Sequence, residues 1–144
     1  MTDAELLAII AQAEREDWTE LDLSGNDLRK LPSEIGRLQS LEKLILGKYD
    51  GGVKGNCLTA IPQEIFQLIN LKELSIEFNL ITQIPDEIAH LVNLTRLDLD
   101  SNQITAIPDV IAQLANLTIL ILRDNQITAI PDAIAQLSDL PLQF

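Results

Sequence analysis

The protein has 144 residues, with 22 carboxylates against 10 lysines and arginines, and its formal net charge is −12. Leucine and isoleucine together number 45, so the chain has ample apolar surface for one folded core, and the composition is not that of a disordered protein. The negative charge argues against nucleic acid and anionic membranes as partners, because binding to either depends on lysine and arginine.

The chain begins with a predicted acidic amphipathic helix over residues 3–16. Thr2 or Asp3 is suited to its N-cap, because a short polar side chain can accept a hydrogen bond from the first turn. The apolar residues of one helical face are Leu6, Leu7, Ile10 and Ala13. We expect residues 1–17 to cap the structure that follows.

The same N-terminal segment carries no recognisable export signal. It holds five acids and one arginine, whereas a secretory signal begins basic and then runs apolar. Its apolar run is far shorter than the ~20 residues that cross a bilayer. The lone Cys57 cannot form an internal disulfide. Together these features predict a cytoplasmic protein that does not enter a membrane.

From residue 18 to residue 140 the sequence repeats with a period of 23. Residues 85–107 and 108–130 are identical at 16 of 23 positions without a gap. The shared pattern is L-x-x-L-x-L-x-x-N-x-[LI]-x-x-[LI]-P. The prolines that mark it are Pro32, Pro62, Pro85, Pro108 and Pro131. The pattern predicts five repeats, a partial sixth and a single domain over residues 1–144.

Each repeat predicts one short strand and one helical turn. Alternate side chains of a strand point to opposite faces, so Leu97 and Leu99 are predicted to point into the core. Their neighbours Arg96 and Asp98 then point outward. Pro108 suits the first position of the helical turn, where its missing N–H costs nothing. In the first repeat, Trp18 stands in place of the first leucine and is interpreted as a large core residue under the helix.

An asparagine recurs where each predicted strand ends. Because a buried amide needs hydrogen-bond partners, we expect it to bond main-chain groups of its own turn and the adjacent one. An amide-lined ligand site is the less favoured alternative, since the spacing follows the repeat. The five residues are Asn26, Asn56, Asn79, Asn102 and Asn125.

One interval is seven residues longer than the others, and the extra residues form the segment 47–55. This segment holds four of the six glycines, Gly47, Gly51, Gly52 and Gly55. It also contains Lys48, Tyr49, Asp50 and Lys54. The composition predicts a flexible loop at the rim of the sheet, which is either a binding element or a tolerated insertion.

The sixth unit departs from the pattern. Pro141 lies where its strand should start, and proline lacks the N–H that would extend a sheet. We therefore expect strand residues 119–123 to form an open edge with Ile119 and Ile121 outward, beside Leu142 and Phe144. Such an edge predicts either a truncated array or weak homodimerisation.

These units resemble the leucine-rich-repeat family in its 23-residue, intracellular form. The resemblance implies a right-handed, curved α/β solenoid with a parallel sheet on the concave side, short helical or irregular segments on the convex side and an N-terminal capping helix. DWTELDLSGNDL and LEKLILGKYDGG, in the first third, resemble the start of bacterial Roco proteins, which place such repeats before a Ras-like GTPase. The chain contains no G-x-x-x-x-G-K-[ST] phosphate loop.

No group of residues suggests catalysis, a metal or a cofactor. With one histidine and one cysteine there is no zinc set, and His90 falls at a position predicted to be exposed and convex. We therefore expect a non-enzymatic protein-interaction module or scaffold. The alternatives are a regulator resembling GTPase activators and a structural spacer without a partner.

A protein partner with a basic segment is expected to bind the outward side chains of the strands and the inserted loop. This surface is mostly acidic, and its side chains are not constrained by the core. The candidate residues are Lys43, Lys48, Tyr49, Lys54, Glu73, Glu77, Arg96, Asp98, Asp100, Ile119 and Ile121.

Overall fold

A computed structural model describes residues 1–135 and 142–143 and shows a parallel sheet with one short strand from each repeat. The strands are β1 (Glu20–Asp22), β2 (Lys43–Tyr49), β3 (Val53–Lys54), β4 (Glu73–Ile76), β5 (Arg96–Asp98), β6 (Ile119–Ile121) and β7 (Leu142–Gln143). The order along the sheet is β1-β2-β4-β5-β6-β7, and β3 pairs antiparallel with β2. The α/β solenoid predicted from the repeat is confirmed.

The inward leucines of neighbouring strands lie side by side. Leu74 pairs with Leu97, and Leu97 pairs with Leu120, in parallel register. All three side chains are fully buried, and they belong to one continuous core that runs along the array. Each repeat thus buries its leucines against the next, as expected for a solenoid in which repeats contact their neighbours.

On the far side of the core, each of four repeats has a five-residue 3-10 helix that begins directly after a proline. The proline takes the N-cap position, one residue earlier than the sequence predicts. In the third of these helices, Pro85 is extended and its carbonyl accepts the first hydrogen bond, from the Ile88 N–H at 3.1 Å. Ile88 is fully buried. The helices are Ser33–Arg37, Gln63–Gln67, Asp86–His90 and Asp109–Gln113.

The repeated asparagines form a ladder of main-chain hydrogen bonds. The Asn102 amide nitrogen donates to the Ile76, Leu99 and Asp100 carbonyls at 2.8–3.1 Å. Its oxygen accepts from the Ile81 N–H at 2.9 Å. The side chain therefore joins its own turn to the preceding repeat, which satisfies buried polar groups of both.

Helix α1 (Asp3–Arg15) covers the N-terminal end of the core. Thr2 is its N-cap and forms a capping box with Glu5. On the inner face Leu6, Ile10 and Ala13 are buried. In contrast to the prediction, Leu7 is 40% exposed, because it lies about 100° around the helix from Leu6, at the edge of the buried face.

Trp18 is only partly buried where it packs against the core. Its ring N–H donates to the Glu16 carboxylate at 2.8 Å, so the indole lies at the rim under the helix end and not at the centre of the core. In the part of the chain that the structure describes, no helix is long and apolar enough to cross a membrane.

At the C-terminal end, the predicted open edge is wrong. Leu142 pairs with Leu120 and Gln143 with Ile121, so β7 extends the sheet beside β6. The strand starts one residue after Pro141, and its ladder needs no N–H from the proline. Ile134, in the short helix α2 (Asp132–Ala135), is fully buried. Pro141 and Phe144 lie outside the described residues.

Candidate functional site

The outward side chains of five strands form aligned rows, which together make the concave face. Parallel register sets each row, because equivalent residues of successive repeats are paired. The first row is Glu20, Lys43, Glu73, Arg96 and Ile119. The second row is Asp22, Ile45, Ser75, Asp98 and Ile121. These rows place the sequence-predicted residues Lys43, Glu73, Arg96, Asp98, Ile119 and Ile121 on one surface.

The first row alternates in charge at its exposed end. The Lys43 ammonium lies 3.8 Å from the Glu20 carboxylate and 3.8 Å from the Glu73 carboxylate. All three side chains are about half exposed, so these pairs contribute little to stability. One ammonium serves two carboxylates there, so these three residues keep a net charge of −1.

Two carboxylates deeper in the concave face are paired with arginines. Arg96 contacts Asp98 at 3.0 Å, and Arg123 contacts Asp100 at 3.4 Å. Asp98 is 3% exposed and also accepts the Asp100 N–H. Each arginine is more exposed than its acid, so the guanidinium covers the carboxylate from the solvent side.

Glu77 and Asp100 are less well satisfied. Burial, followed by the negative charge of Asp98, raises the pKa of Glu77, and a hydrogen bond from the Ser75 hydroxyl opposes that rise. Burial also raises the pKa of Asp100, although the Arg123 guanidinium lowers it. Among the described residues, one buried Asp100 oxygen, Oδ1, has no hydrogen-bond partner. Negative charge is therefore concentrated around these two residues.

The segment 47–55 forms a hairpin, where the sequence predicts a loop without strand pairing. β2 continues to Tyr49, turns at Asp50–Gly52 and returns as β3, with Lys48 paired to Lys54 and Tyr49 to Val53. Gly51 has φ +66°, which glycine adopts without a steric penalty. The antiparallel pairing holds the inserted residues in one conformation, so the hairpin is a fixed part of the rim.

Ion pairs tie the hairpin to the first repeat. The Lys48 ammonium lies 2.6 Å from the Asp22 carboxylate and 3.7 Å from Asp50, which also meets Lys54 at 3.5 Å. Burial would raise the pKa of Asp22, but hydrogen bonds from Lys48 and Ser24 outweigh it and lower the pKa. The carboxylate of Asp22 is therefore stabilised in its charged form.

The hairpin also packs closely against the end of β4. A side chain at Gly47 would collide with the Glu77 carbonyl oxygen, and one at Gly55 would collide with the Phe78 carbonyl oxygen. The Ser75 hydroxyl donates to the Gly47 carbonyl at 2.7 Å. These two glycines are thus needed for close approach of backbones.

An aromatic pair forms where the hairpin meets β4, and the sequence analysis missed one of its members. The rings of Tyr49 and Phe78 have centroids 6.5 Å apart at an angle of 45°. Tyr49 is 67% exposed, and Phe78 is partly exposed. Phe78 has φ +53°, although the equivalent residues Ser101 and Asp124 are small or polar. A bulky residue at this position of the repeat is the signal that could have identified it.

A depression of about 170 Å³ lies on the concave face. Six of the sequence-predicted residues line it, Lys43, Lys48, Glu73, Glu77, Arg96 and Asp98, together with Leu44, Ile45, Leu74 and Ser75. Tyr49 and Lys54 lie on the hairpin and are not part of this lining. Ile119 and Ile121 lie further along the face, and Ile121 is 4% exposed, which contradicts its expected role as an exposed contact.

A pair of substitutions tests the charges on this face. Glu77→Gln is expected to increase the free energy of unfolding at pH 7, because a raised pKa means that ionisation opposes folding. Asp22→Asn is expected to decrease the free energy of unfolding at pH 7, because the pKa of Asp22 is lower in the folded protein than in the unfolded chain. The stability that this carboxylate contributes is present above its ordinary pKa and is lost as the pH falls through its pKa in the folded protein. Both groups are partly exposed, so each change should be about 0.5 kcal/mol or less.

Urea unfolding at pH 7 and pH 3 measures both effects. The stabilisation by Glu77→Gln should disappear at pH 3, where the carboxyl is protonated in both states. Changes of the same sign for the two variants at pH 7 would contradict the opposite electrostatic environments of Glu77 and Asp22.

Comparison with known proteins gives a consistent family match. Residues 52–104 and 92–142 match a family model described as Leucine rich repeat, and residues 18–38 match a second model with the same description. Together these matches span more than half of the chain. They cover β1, β3, β4, β5 and β6, while β2 (Lys43–Tyr49) lies between the matched ranges.

Solved structures of longer proteins share this fold. A leucine-rich-repeat protein from Leptospira interrogans is 40% identical with a TM-score of 0.75, and the match covers 86% of this chain and 30% of that protein. Internalin C2 from Listeria monocytogenes is 30% identical with a TM-score of 0.74, over 94% of this chain and 56% of that one.

A plant receptor structure is also similar. The ectodomain of the Arabidopsis thaliana membrane receptor kinase GASSHO1/SCHENGEN3, in complex with CASPARIAN STRIP INTEGRITY FACTOR 2, is 33% identical with a TM-score of 0.72. The match covers 91% of this chain and 16% of that one. This chain therefore spans less than two thirds of the length of each of the three proteins.

Proposed function

This chain belongs to the leucine-rich-repeat family, and on that premise we propose that it is a protein-interaction module whose concave face and hairpin bind a partner protein. Proteins of this family are typically non-catalytic interaction modules. The observation that carries the proposal is the alignment of charged rows beside an ordered hairpin with an exposed tyrosine. A rigid surface of this kind loses little conformational freedom when a partner binds.

We expect the partner to present a basic or mixed-charge segment. The concave rows and hairpin carry more carboxylates than cations, and Glu77 and Asp100 concentrate the excess near the aromatic pair. Exposed charges attract a basic segment at long range and are screened by salt. The association rate should therefore fall as ionic strength rises.

Photo-cross-linking in a cell lysate identifies the partner and tests the face at the same time. A photoreactive phenylalanine analogue replaces Tyr49 on the hairpin, and in a matched control it replaces Glu87, an exposed residue of the convex 3-10 helix Asp86–His90. We expect a product specific to position 49. Equal products from both positions would contradict binding at the concave face.

Charge reversal then measures how much the face contributes. The variant Glu20→Lys, Glu73→Lys and Glu77→Lys changes the net charge by +6, as does the convex control Asp86→Lys, Glu87→Lys and Asp109→Lys. Asp98 is left unchanged because it is 3% exposed and its reversal could disturb folding. We expect the first variant to bind the cross-linked partner at least about 10-fold more slowly at low salt, and the control to bind normally. Equal rates would refute the proposal.

The Roco-type arrangement and the cytoplasmic location stay predictions. A Roco-type arrangement predicts a G-x-x-x-x-G-K-[ST] phosphate loop encoded downstream of these repeats, and sequencing of that region checks it. The cytoplasmic location also stays a prediction, and fractionation of cells that produce the natural protein measures it.

A further inference from the structure

The charges of the concave face and hairpin pair with each other except at one position. In residues 1–135 each of these groups lies within 4.0 Å of an opposite charge, apart from Glu77. The carboxylates are Glu20, Asp22, Asp50, Glu73, Glu77, Asp98 and Asp100, and the cations are Lys43, Lys48, Lys54, Arg96 and Arg123. Each of these cations therefore already forms an ion pair, and Glu77 is the carboxylate of this surface that has none.

The surroundings of Glu77 also favour the binding of a cation. Its carboxylate is half-buried and shares the hydrogen of the Ser75 hydroxyl, 3.1 Å away, with the Gly47 carbonyl, which lies at 2.7 Å. The negative charges of Asp98 and Asp100 act on it, and the Arg96 guanidinium offsets them only in part. Asp100 is 8% exposed, and its Oδ1 lacks a partner among the described residues. A half-buried carboxylate without an ion pair gains more from a cation than an exposed one does.

Glu77 lines a depression of the concave face that is about 170 Å³ and open to solvent. Lys48 lines the same depression, but its ammonium is held by Asp22 at 2.6 Å. A cationic side chain of a partner can therefore enter the depression and reach Glu77.

The aromatic pair lies directly after Glu77 in the chain. The Phe78 N–H donates to the Asp100 carbonyl at 3.1 Å, which keeps Phe78 next to the acidic residues. Tyr49 of the hairpin lies against Phe78, with the two rings tilted at 45°. Glu77 is thus followed in the chain by an aromatic pair whose tyrosine is 67% exposed. An aromatic surface favours guanidinium over ammonium, because guanidinium is planar, weakly hydrated and stacks on rings.

We propose that Glu77, with the Tyr49–Phe78 pair at its edge, binds an arginine side chain of the partner. This inference rests on the proposed protein-binding function and specifies the chemistry of one contact within it. The guanidinium pairs with the Glu77 carboxylate, and its stem or planar face lies against the aromatic pair. Arginine is therefore preferred over lysine and over any uncharged residue.

Blocked pentapeptides with a single central residue between glycines and serines test this contact on the full chain. The central residue is arginine, lysine or citrulline, which has nearly the same shape as arginine but no charge. Backbone amide shifts of Gly55 and Phe78 are followed by nuclear magnetic resonance. We expect saturable shifts with the arginine peptide, weaker binding of lysine and no saturation with citrulline.

Matched variants separate the contact from general charge effects. Glu77→Gln should weaken the arginine peptide by about 10-fold, as expected for loss of a charged hydrogen bond, whereas Glu87→Gln on the convex side changes the net charge equally and should have no effect. Tyr49→Ala should reduce the preference for arginine over lysine. Equal binding of arginine and citrulline, or an unchanged affinity in Glu77→Gln, would overturn the proposal.

The experiment also distinguishes this contact from the proposed function. If the partner still cross-links at position 49 and still depends on Glu20 and Glu73 while Glu77→Gln binds it normally, the interaction face stands and the arginine contact is wrong. Equal cross-linking at positions 49 and 87 would instead contradict the proposed function itself.

Discussion

Leu97→Ala is expected to lower the free energy of unfolding by about 2–5 kcal/mol. The side chain is fully buried in the middle of the array, between Leu74 and Leu120 of the adjacent strands. Its removal loses apolar burial and leaves a cavity that the flanking leucines cannot fill, because the strand ladder fixes their positions. Urea unfolding followed by circular dichroism measures the change.

His90→Ala provides the control in the same repeat. His90 is exposed at the end of a 3-10 helix, so its replacement should cost less than about 0.5 kcal/mol. Equal shifts of the urea midpoint in the two variants would mean that the leucine register is wrong.

Asn102→Ala is expected to cost about 2–4 kcal/mol, because the amide satisfies buried main-chain groups of two repeats. Without it the Ile81 N–H and the Ile76 carbonyl lose their bonds to this side chain. Water cannot easily replace the amide, since Asn102 is 7% exposed. Thermal unfolding, compared with the unmodified chain, measures the loss.

Asn93→Ala is the matched control for Asn102→Ala. Asn93 also donates to the preceding repeat, with a 2.8 Å bond to the Ile69 carbonyl, but it is exposed. Water can take over that bond, so the expected cost is below about 1 kcal/mol. A cost as large as that of Asn102→Ala would show that burial does not decide the contribution of these amides.

The sequence predicts this fold well wherever the repeat enforces the structure. Leu97 and Asn102 are five residues apart, and the equivalent leucine and asparagine keep this spacing in every repeat except the second, which carries the insertion. Each of these side chains packs against its equivalents in the neighbouring repeats, so its surroundings are nearly the same in each of these repeats. The inward leucines, the asparagine ladder and the outward position of Arg96 follow from that periodicity. Much of the candidate site is therefore readable from the sequence.

The features that the sequence did not predict are those outside the repeat. Glycine content suggests flexibility in the segment 47–55, but pairing of Lys48 with Lys54 and close packing of Gly47 on β4 depend on tertiary contacts. The same contacts bring Phe78 to the hairpin. The prediction of an open edge at β6 was wrong because one proline was taken to prevent a strand that begins after it.

The ordered hairpin also changes how the array should unfold. In a simple solenoid each interface joins only two adjacent repeats, so segments can open one at a time. Here the hairpin of the second repeat is bonded to the first through Asp22 and the Gly25 N–H, and to the third through Ser75. Its loss would break contacts on both sides at once. The first three repeats therefore form one cooperative unit, while the repeats that follow retain pairwise coupling.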